Sequence, residues 1–264
     1  MSTSLGTSQV DESLRLAAQV GAEGLEVCVQ TDKQVHELAR KGYPAKLADM
    51  ASQAGLAIPS ICLSLLCRST SLIGTAEQME SGKKKVVTAL NAAAEAGVRV
   101  VLVPFFGHNA IELEDELRRA AEALLDLAEP AEQAGVTIGV ESTLNFDQQD
   151  YLLNQLGHTE AVRMYVDTAN TMARKLDFAT GIRQLGAAGI AQVHFKDVRL
   201  AEGRPPDYDV PLGSGDVDFQ AALRAMRAIG YDGWVVLETP PGHDPAASAK
   251  ANLAFARAQL AAAV

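Results

Sequence analysis

The stretch A-E-Q-A-G-V-T-I-G-V-E (131–141) holds the unit from which the chain is built. An alanine-rich segment runs into a glycine, and a short apolar run follows and ends on a carboxylate. The glycine stands where a helix should stop, because a residue without a Cβ adopts positive φ at little steric cost. The run that follows is apolar and partly β-branched without alternation, as expected of a strand covered on both faces of a parallel sheet. The same pattern recurs at 17–27, 51–63, 93–103, 185–195 and 228–238, with Gly21, Gly55, Gly97, Gly189 and Gly230 in the glycine's place. Between Gly135 and Gly189 there is room for one more unit, whose strand ends at Asp167.

Helix and strand alternating without a break predict an α/β fold. Strands are expected near 24–28, 58–65, 99–104, 137–141, 164–167, 191–195 and 234–238, with an eighth in the short polar stretch 3–7. Eight such units in 264 residues predict one (β/α)8 TIM barrel, a single domain over 1–264. A doubly wound open sheet is the alternative, and no G-x-G-x-x-G follows a first strand to favour it. The helices carry the matching period. In 113–134, Leu117, Ala120, Ala121, Leu124, Leu127 and Ala128 share one face, and Glu112, Glu114, Arg118, Arg119 and Glu122 lie mostly on the other. The longest irregular segment, 197–217, follows a strand and is a candidate lid.

Composition narrows the function. The chain is 48% hydrophobic, with a net charge of −10 and a pI near 5.0. That suits an enzyme of small molecules, and it argues against nucleic-acid partners, which call for a basic face. No run approaches the ~20 apolar residues of a membrane span. The first residues lack the charged-then-apolar pattern of a secretory signal, so a cytoplasmic location is expected. Cys28, Cys62 and Cys67 are too few and too scattered for a disulfide framework. Cys28 and Cys62 read as core, and Cys67 as a strand-end residue near the pocket.

Four strands end on groups that bind cations: Glu141, Asp167, His194 and Glu238. Barrel active sites form at the C-terminal strand ends, so these side chains should meet in one basin. Three carboxylates and an imidazole suit one divalent ion (Mn, Mg, Co or Zn) and not a soft thiolate site. They also supply two glutamates able to move protons beside it.

Taken in order, G-V-E (139–141), D-T-A-N (167–170), V-H-F-K-D (193–197), P-L-G-S-G-D-V-D-F (211–219) and G-Y-D-G-W-V-V-L-E (230–238) resemble the xylose-isomerase-like barrel superfamily. Within it they are most similar to the sugar-phosphate isomerases and epimerases, including the ketose 3-epimerases and L-ribulose-5-phosphate 3-epimerases. I-P-S-I-C-L-S (58–64), followed by Arg68, resembles the corresponding strand of the phosphate-specific epimerases. The resemblance implies that Glu141 and Glu238 are metal-bound catalytic glutamates facing each other across the substrate, with Asp167 and His194 as the other ligands. It implies that Asn170 contacts substrate, and it matches Lys196 and Asp197 to an HxKD ending. A structural ion pair is the plainer account of those two. Arg68, Arg199 and Arg204 could meet a sugar phosphate, although a free sugar remains open. Dimers and tetramers are common in the family.

The implied chemistry is removal of a proton α to a ketose carbonyl through a metal-stabilised enediolate, then its return to the opposite face (epimerase) or the neighbouring carbon (isomerase). Within the same fold, a dehydratase of inosose or dehydroshikimate type and a hydroxypyruvate isomerase are alternatives. A non-catalytic sugar-binding barrel is a further one. An apurinic-site endonuclease would need more strand-end histidines. Leu65-Leu66 stands where the family often carries a histidine. Phe105 and Phe106 are expected to wall the pocket, and His108 to lie in a loop. His36, His158 and His243 have no supporting pattern.

Overall fold

Strands β1 (Val27–Cys28), β2 (Ser60–Cys62), β3 (Val100–Phe105), β4 (Thr137–Ser142), β5 (Val162–Asp167), β6 (Ile190–Phe195) and β7 (Val235–Leu237) form one sheet in chain order. Every neighbouring pair is parallel. The computed structural model describes residues 1–262. Helices cross between successive strands, as parallel pairing requires. Among them are Ala76–Ala96, Glu114–Ala134 and Phe219–Ala228. No helix among the described residues is long and apolar enough to cross a membrane.

The expected eighth strand at 3–7 is not there. Ser2–Leu5 is a 3-10 turn, and it closes the ring by other means. The amine of Met1 donates to the Leu237 carbonyl at 3.1 Å, and Ser4 Oγ accepts from Thr239 N at 3.0 Å. On the other side, Ser2 N donates to the Glu26 carbonyl, and Ser2 Oγ accepts from Cys28 N at 3.1 Å. One short turn therefore bonds to both the first and the last strand. The sheet is curled into a TIM barrel and is not the open alternative. A segment with serines at 2 and 4 can do this because its hydroxyls pair with strand backbone that would otherwise lack a partner.

Side chains alternate between the two faces of each strand. Val101, Val103, Phe105, Ile138, Val140, Met164, Val166, Val193 and Phe195 pack outward against the helices in the main core. Cys28, Cys62, Val100, Leu102 and Tyr165 form a separate cluster inside the barrel. Phe105 therefore does not wall the pocket: it belongs to the outward set and is fully buried. Gly139 makes room for the interior ring, since a Cβ there would stand 2.9 Å from Tyr165 Cδ2. The helix-ending glycines are mostly as expected, with one correction. The helix Phe178–Leu185 ends on Gly186 (φ 63°), whereas Gly189 lies in a following 3-10 turn and has no positive φ.

Candidate active site

The penultimate residues of β4 and β6, the last of β5 and the one after β7 are raised by the alternation onto the barrel's interior rim. Glu141, Asp167, His194 and Glu238 each bring a donor atom to within 4.8 Å of the others. His194 is the hub. Its Nδ1 lies 3.1 Å from Glu141 Oε1 and 3.3 Å from Glu238 Oε2. Glu238 is the more open carboxylate, 25% exposed against 6% for Glu141.

Local structure fixes these positions. Asp167 and His194 are paired in register. Thr168 ties the two strand ends together: its hydroxyl donates to the Lys196 carbonyl at 2.7 Å and accepts from Lys196 N at 3.1 Å. Asp167 also caps the following turn, Oδ1 accepting from Asn170 N at 2.6 Å. Its Oδ2 is buried without a hydrogen-bond partner. A buried carboxylate oxygen left unpaired is costly, and Asp167 belongs to a group of donors that could hold a cation.

The electrostatics are those of crowded acids. Burial, with Glu141 and Glu238 close by, pushes the Asp167 carboxyl up to about 7. Burial likewise raises Glu141, and the His194 imidazole opposes it only in part. For Glu238 burial is outweighed by Lys196 and His194, which hold its carboxyl well below the usual range. Burial would lower His194, but Glu26 and Glu141 on either side raise it well above an ordinary histidine.

Lys196 Nζ sits 3.1 Å from Glu238 Oε2, and the ring of Tyr208 lies over it at 5.3 Å. The ion pair of Lys196 is thus with Glu238 and not with Asp197. Asp197 instead accepts four backbone N–H groups from the segment 197–217: Val198 and Val217 on Oδ1, Gly213 and Gly215 on Oδ2. The root of the candidate lid is pinned, and the tip carries Tyr208 to the site.

Asn170 lines a small polar cavity beside Asp167, with Ser142, Gln149 and Thr171. No ion pair or side-chain hydrogen bond joins Arg68 or Arg199 to the four-residue group among the described residues. Arg68 is exposed just after the 3-10 turn Ser64–Cys67, and Arg199 Nη2 donates to the Ser214 carbonyl at 2.7 Å. Cys67 is close enough to feel the site: burial, then Glu141, pushes its thiol up to about 11. His108 is exposed and lines a separate groove with Thr75, Gln78 and Arg119.

Sequence reasoning missed Glu26, Ser60 and Tyr165. Glu26 lies inside the barrel beneath His194 and accepts from Ser60 Oγ (2.7 Å) and Tyr165 OH (2.9 Å), with His194 Nε2 at 3.1 Å. The available signal was a lone carboxylate within L-E-V-C-V (25–29), an otherwise apolar strand run.

Comparison with known proteins agrees with this architecture. L-ribulose-5-phosphate 3-epimerase UlaE of Escherichia coli (strain SE11) is 26% identical over 262 residues, covering 95% of this chain and 89% of the relative. A solved structure of L-ribulose 3-epimerase superposes with a TM-score of 0.78 at 21% identity, covering 96% of this chain and 89% of that one. D-psicose 3-epimerase, solved in the presence of D-fructose, gives a TM-score of 0.76 at 16% identity, with 96% and 94% covered. The family description "Xylose isomerase-like TIM barrel" matches residues 14–259, and the chain belongs to that family.

Proposed function

We propose that this chain works as a single cytoplasmic barrel that epimerises or isomerises a ketose or ketose phosphate with the help of one divalent ion. The observation that carries the reading is the convergence of Glu141, Asp167, His194 and Glu238, with Asp167 Oδ2 buried and unpaired. The sugar epimerases it resembles support the substrate class. Their names, L-ribulose-5-phosphate 3-epimerase and D-psicose 3-epimerase, include one phosphorylated and one free ketose.

These four residues would hold the ion, and Mn, Mg, Co or Zn fits a set of hard oxygens with one imidazole. When bound, it would polarise the substrate carbonyl and stabilise the negative charge of the enediolate. The chain's own part is proton transfer. Glu238, kept ionised by Lys196, is suited to take the proton from the carbon α to the carbonyl. Glu141, raised by burial, is suited to hold a proton and return it. Two carboxylates with opposed tendencies on one basin allow return to the opposite face of the same carbon. Running the reaction backward exchanges their roles. Lys196 keeps Glu238 in place, Asn170 lies beside Asp167 for substrate contact, and Tyr208 covers the Lys196 side against water. Arg68 and Arg199 at the rim are the candidates for a phosphate.

Solvent deuterium incorporation into a panel of ketoses and ketose phosphates, followed by NMR with added Mn²⁺, tests the proposal. Exchange at C3 with a new diastereomer identifies a 3-epimerase. Exchange at C1 with an aldose identifies an isomerase. Absence of metal-dependent exchange across the panel refutes both.

A further inference from the structure

We infer that Glu26 is the positioning residue for His194: a carboxylate behind the imidazole that fixes its tautomer and orientation so that Nδ1 faces the cation basin. The inference rests on the metal reading above.

A neutral imidazole offers a lone pair at one nitrogen only, and the other nitrogen then carries a hydrogen. His194 is wholly buried, so that N–H needs an acceptor from the protein. Nδ1 is on the side of Glu141 and Glu238, and Nε2 is 3.1 Å from Glu26 Oε1. An Nε2–H donated to Glu26 therefore leaves the lone pair on Nδ1, on the side where the other three donors stand.

The carboxylate is itself held firmly. Glu26 is fully buried and bridges opposite walls of the barrel, from β1 and β2 to β5 and β6. Its Oε2 accepts from Ser60 Oγ and from Tyr165 OH, which leaves Oε1 aimed at the imidazole. The Tyr165 ring packs on His194 with centroids 4.4 Å apart and so limits rotation of the imidazole plane. Cys28 and Cys62 also lie near Glu26, with donor atoms within 4.8 Å. Both oxygens of Glu26 are already engaged, however, so these three do not make a second cation site. A carboxylate buried at this depth is expensive without donors, and the imidazole is the partner that connects it to the chemistry above.

The test is cation affinity of the full-length Glu26→Gln protein, measured with Co²⁺ and Zn²⁺ against a chromophoric chelator. Gln preserves the volume, and the Ser60 and Tyr165 hydroxyls can turn from donor to acceptor, so the fold should survive. Loss of an outer carboxylate of this kind lowers affinity by about 10–100-fold. Glu26→Asp, which keeps the charge but withdraws it by one methylene, should fall between. Ser60→Ala leaves the carboxylate on His194 and should bind cation as the wild type does, though with a lower melting temperature. In ¹⁵N spectra of the loaded wild type, His194 should carry its hydrogen on Nε2, and Glu26→Gln should weaken that preference. Unchanged affinity in Glu26→Gln, or an equal loss in Ser60→Ala, overturns the inference. Failure of the wild type to bind either ion overturns the metal reading itself.

Discussion

Asp197 offers the sharpest test of how the site is supported. Its side chain is 1% exposed and accepts four backbone N–H groups, two on each oxygen, at 2.9–3.2 Å. Substitution to Asn leaves one acceptor oxygen. Whichever way the amide turns, two N–H groups, either those of Val198 and Val217 or those of Gly213 and Gly215, face an NH₂ group. At about 1–3 kcal/mol for each buried group left unsatisfied, the expected cost is about 4 kcal/mol. For a chain of this size that corresponds to a fall in Tm of about 8–16 °C. If the segment detaches before the barrel unfolds, the cost is capped, and the loss shows instead as opening of the loop. Thermal unfolding by circular dichroism reads the first outcome, and limited proteolysis within the exposed stretch 201–207 reads the second. Gly215→Ala should copy the phenotype, because a Cβ there would collide with the Asp197 carboxylate and the Val198 carbonyl. An Asn variant that melts within about 2 °C of wild type, a shift worth about 0.5–1 kcal/mol here, and is cleaved no faster would refute the assignment of Asp197 as the anchor of the segment.

Four further outcomes bear on the site. Glu141→Gln and Glu238→Gln should each abolish deuterium exchange while the circular dichroism spectrum stays that of wild type; near-normal exchange in either would remove the two-carboxylate scheme. His194→Ala should lower bound metal by elemental analysis, and an unchanged stoichiometry would exclude His194 as a ligand. Cation affinity should rise with pH and go on rising beyond 7, because the raised His194 must release a proton, and Asp167, titrating near 7, its own, before a cation binds. The same shift makes the metal-free protein less stable as pH rises. A carboxyl with pKa raised from its unfolded value near 3.9 favours the folded state fully only below that value, and the contribution is lost by about pH 7. Melting of the metal-free protein at pH 5 and pH 8 would show the opposite order if this sign were wrong.

The four strand-end residues were legible because each closes an apolar run, and a parallel barrel gathers such ends. Glu26 was not legible in the same way. A charged residue partway along a short strand looks like one on a solvated face, and only closure of the ring makes it interior. Phe105 was misplaced because the apolar run P-F-F suggested a wall. Its parity with Val101 and Val103 decides the matter, and that parity turns it outward. Gly186 and Gly189 are too close for helix-stop logic to separate. The bond pattern of Asp197 was hidden because its acceptors' partners lie up to twenty residues downstream in a segment without periodicity. The expected strand at 3–7 failed because closure there depends on two serine hydroxyls and an amine, which no strand pattern encodes.

That closure has a mechanical consequence. Where two strands pair by a ladder, slippage comes in whole residues and turns every side chain to the other face. A joint made by the Ser2 and Ser4 hydroxyls imposes no such step. The hoop is stiff along β3 to β6 and compliant at one point, and Glu26 and Glu238 stand on the two sides of that point. Glu238 stays with His194, its N–H bonded to the Phe195 carbonyl and β7 in register with β6, so any give in the joint falls between β7 and β1 and leaves the strand-end group intact. Substitutions meant to loosen or tighten that joint without touching the strand-end group belong at 2–5.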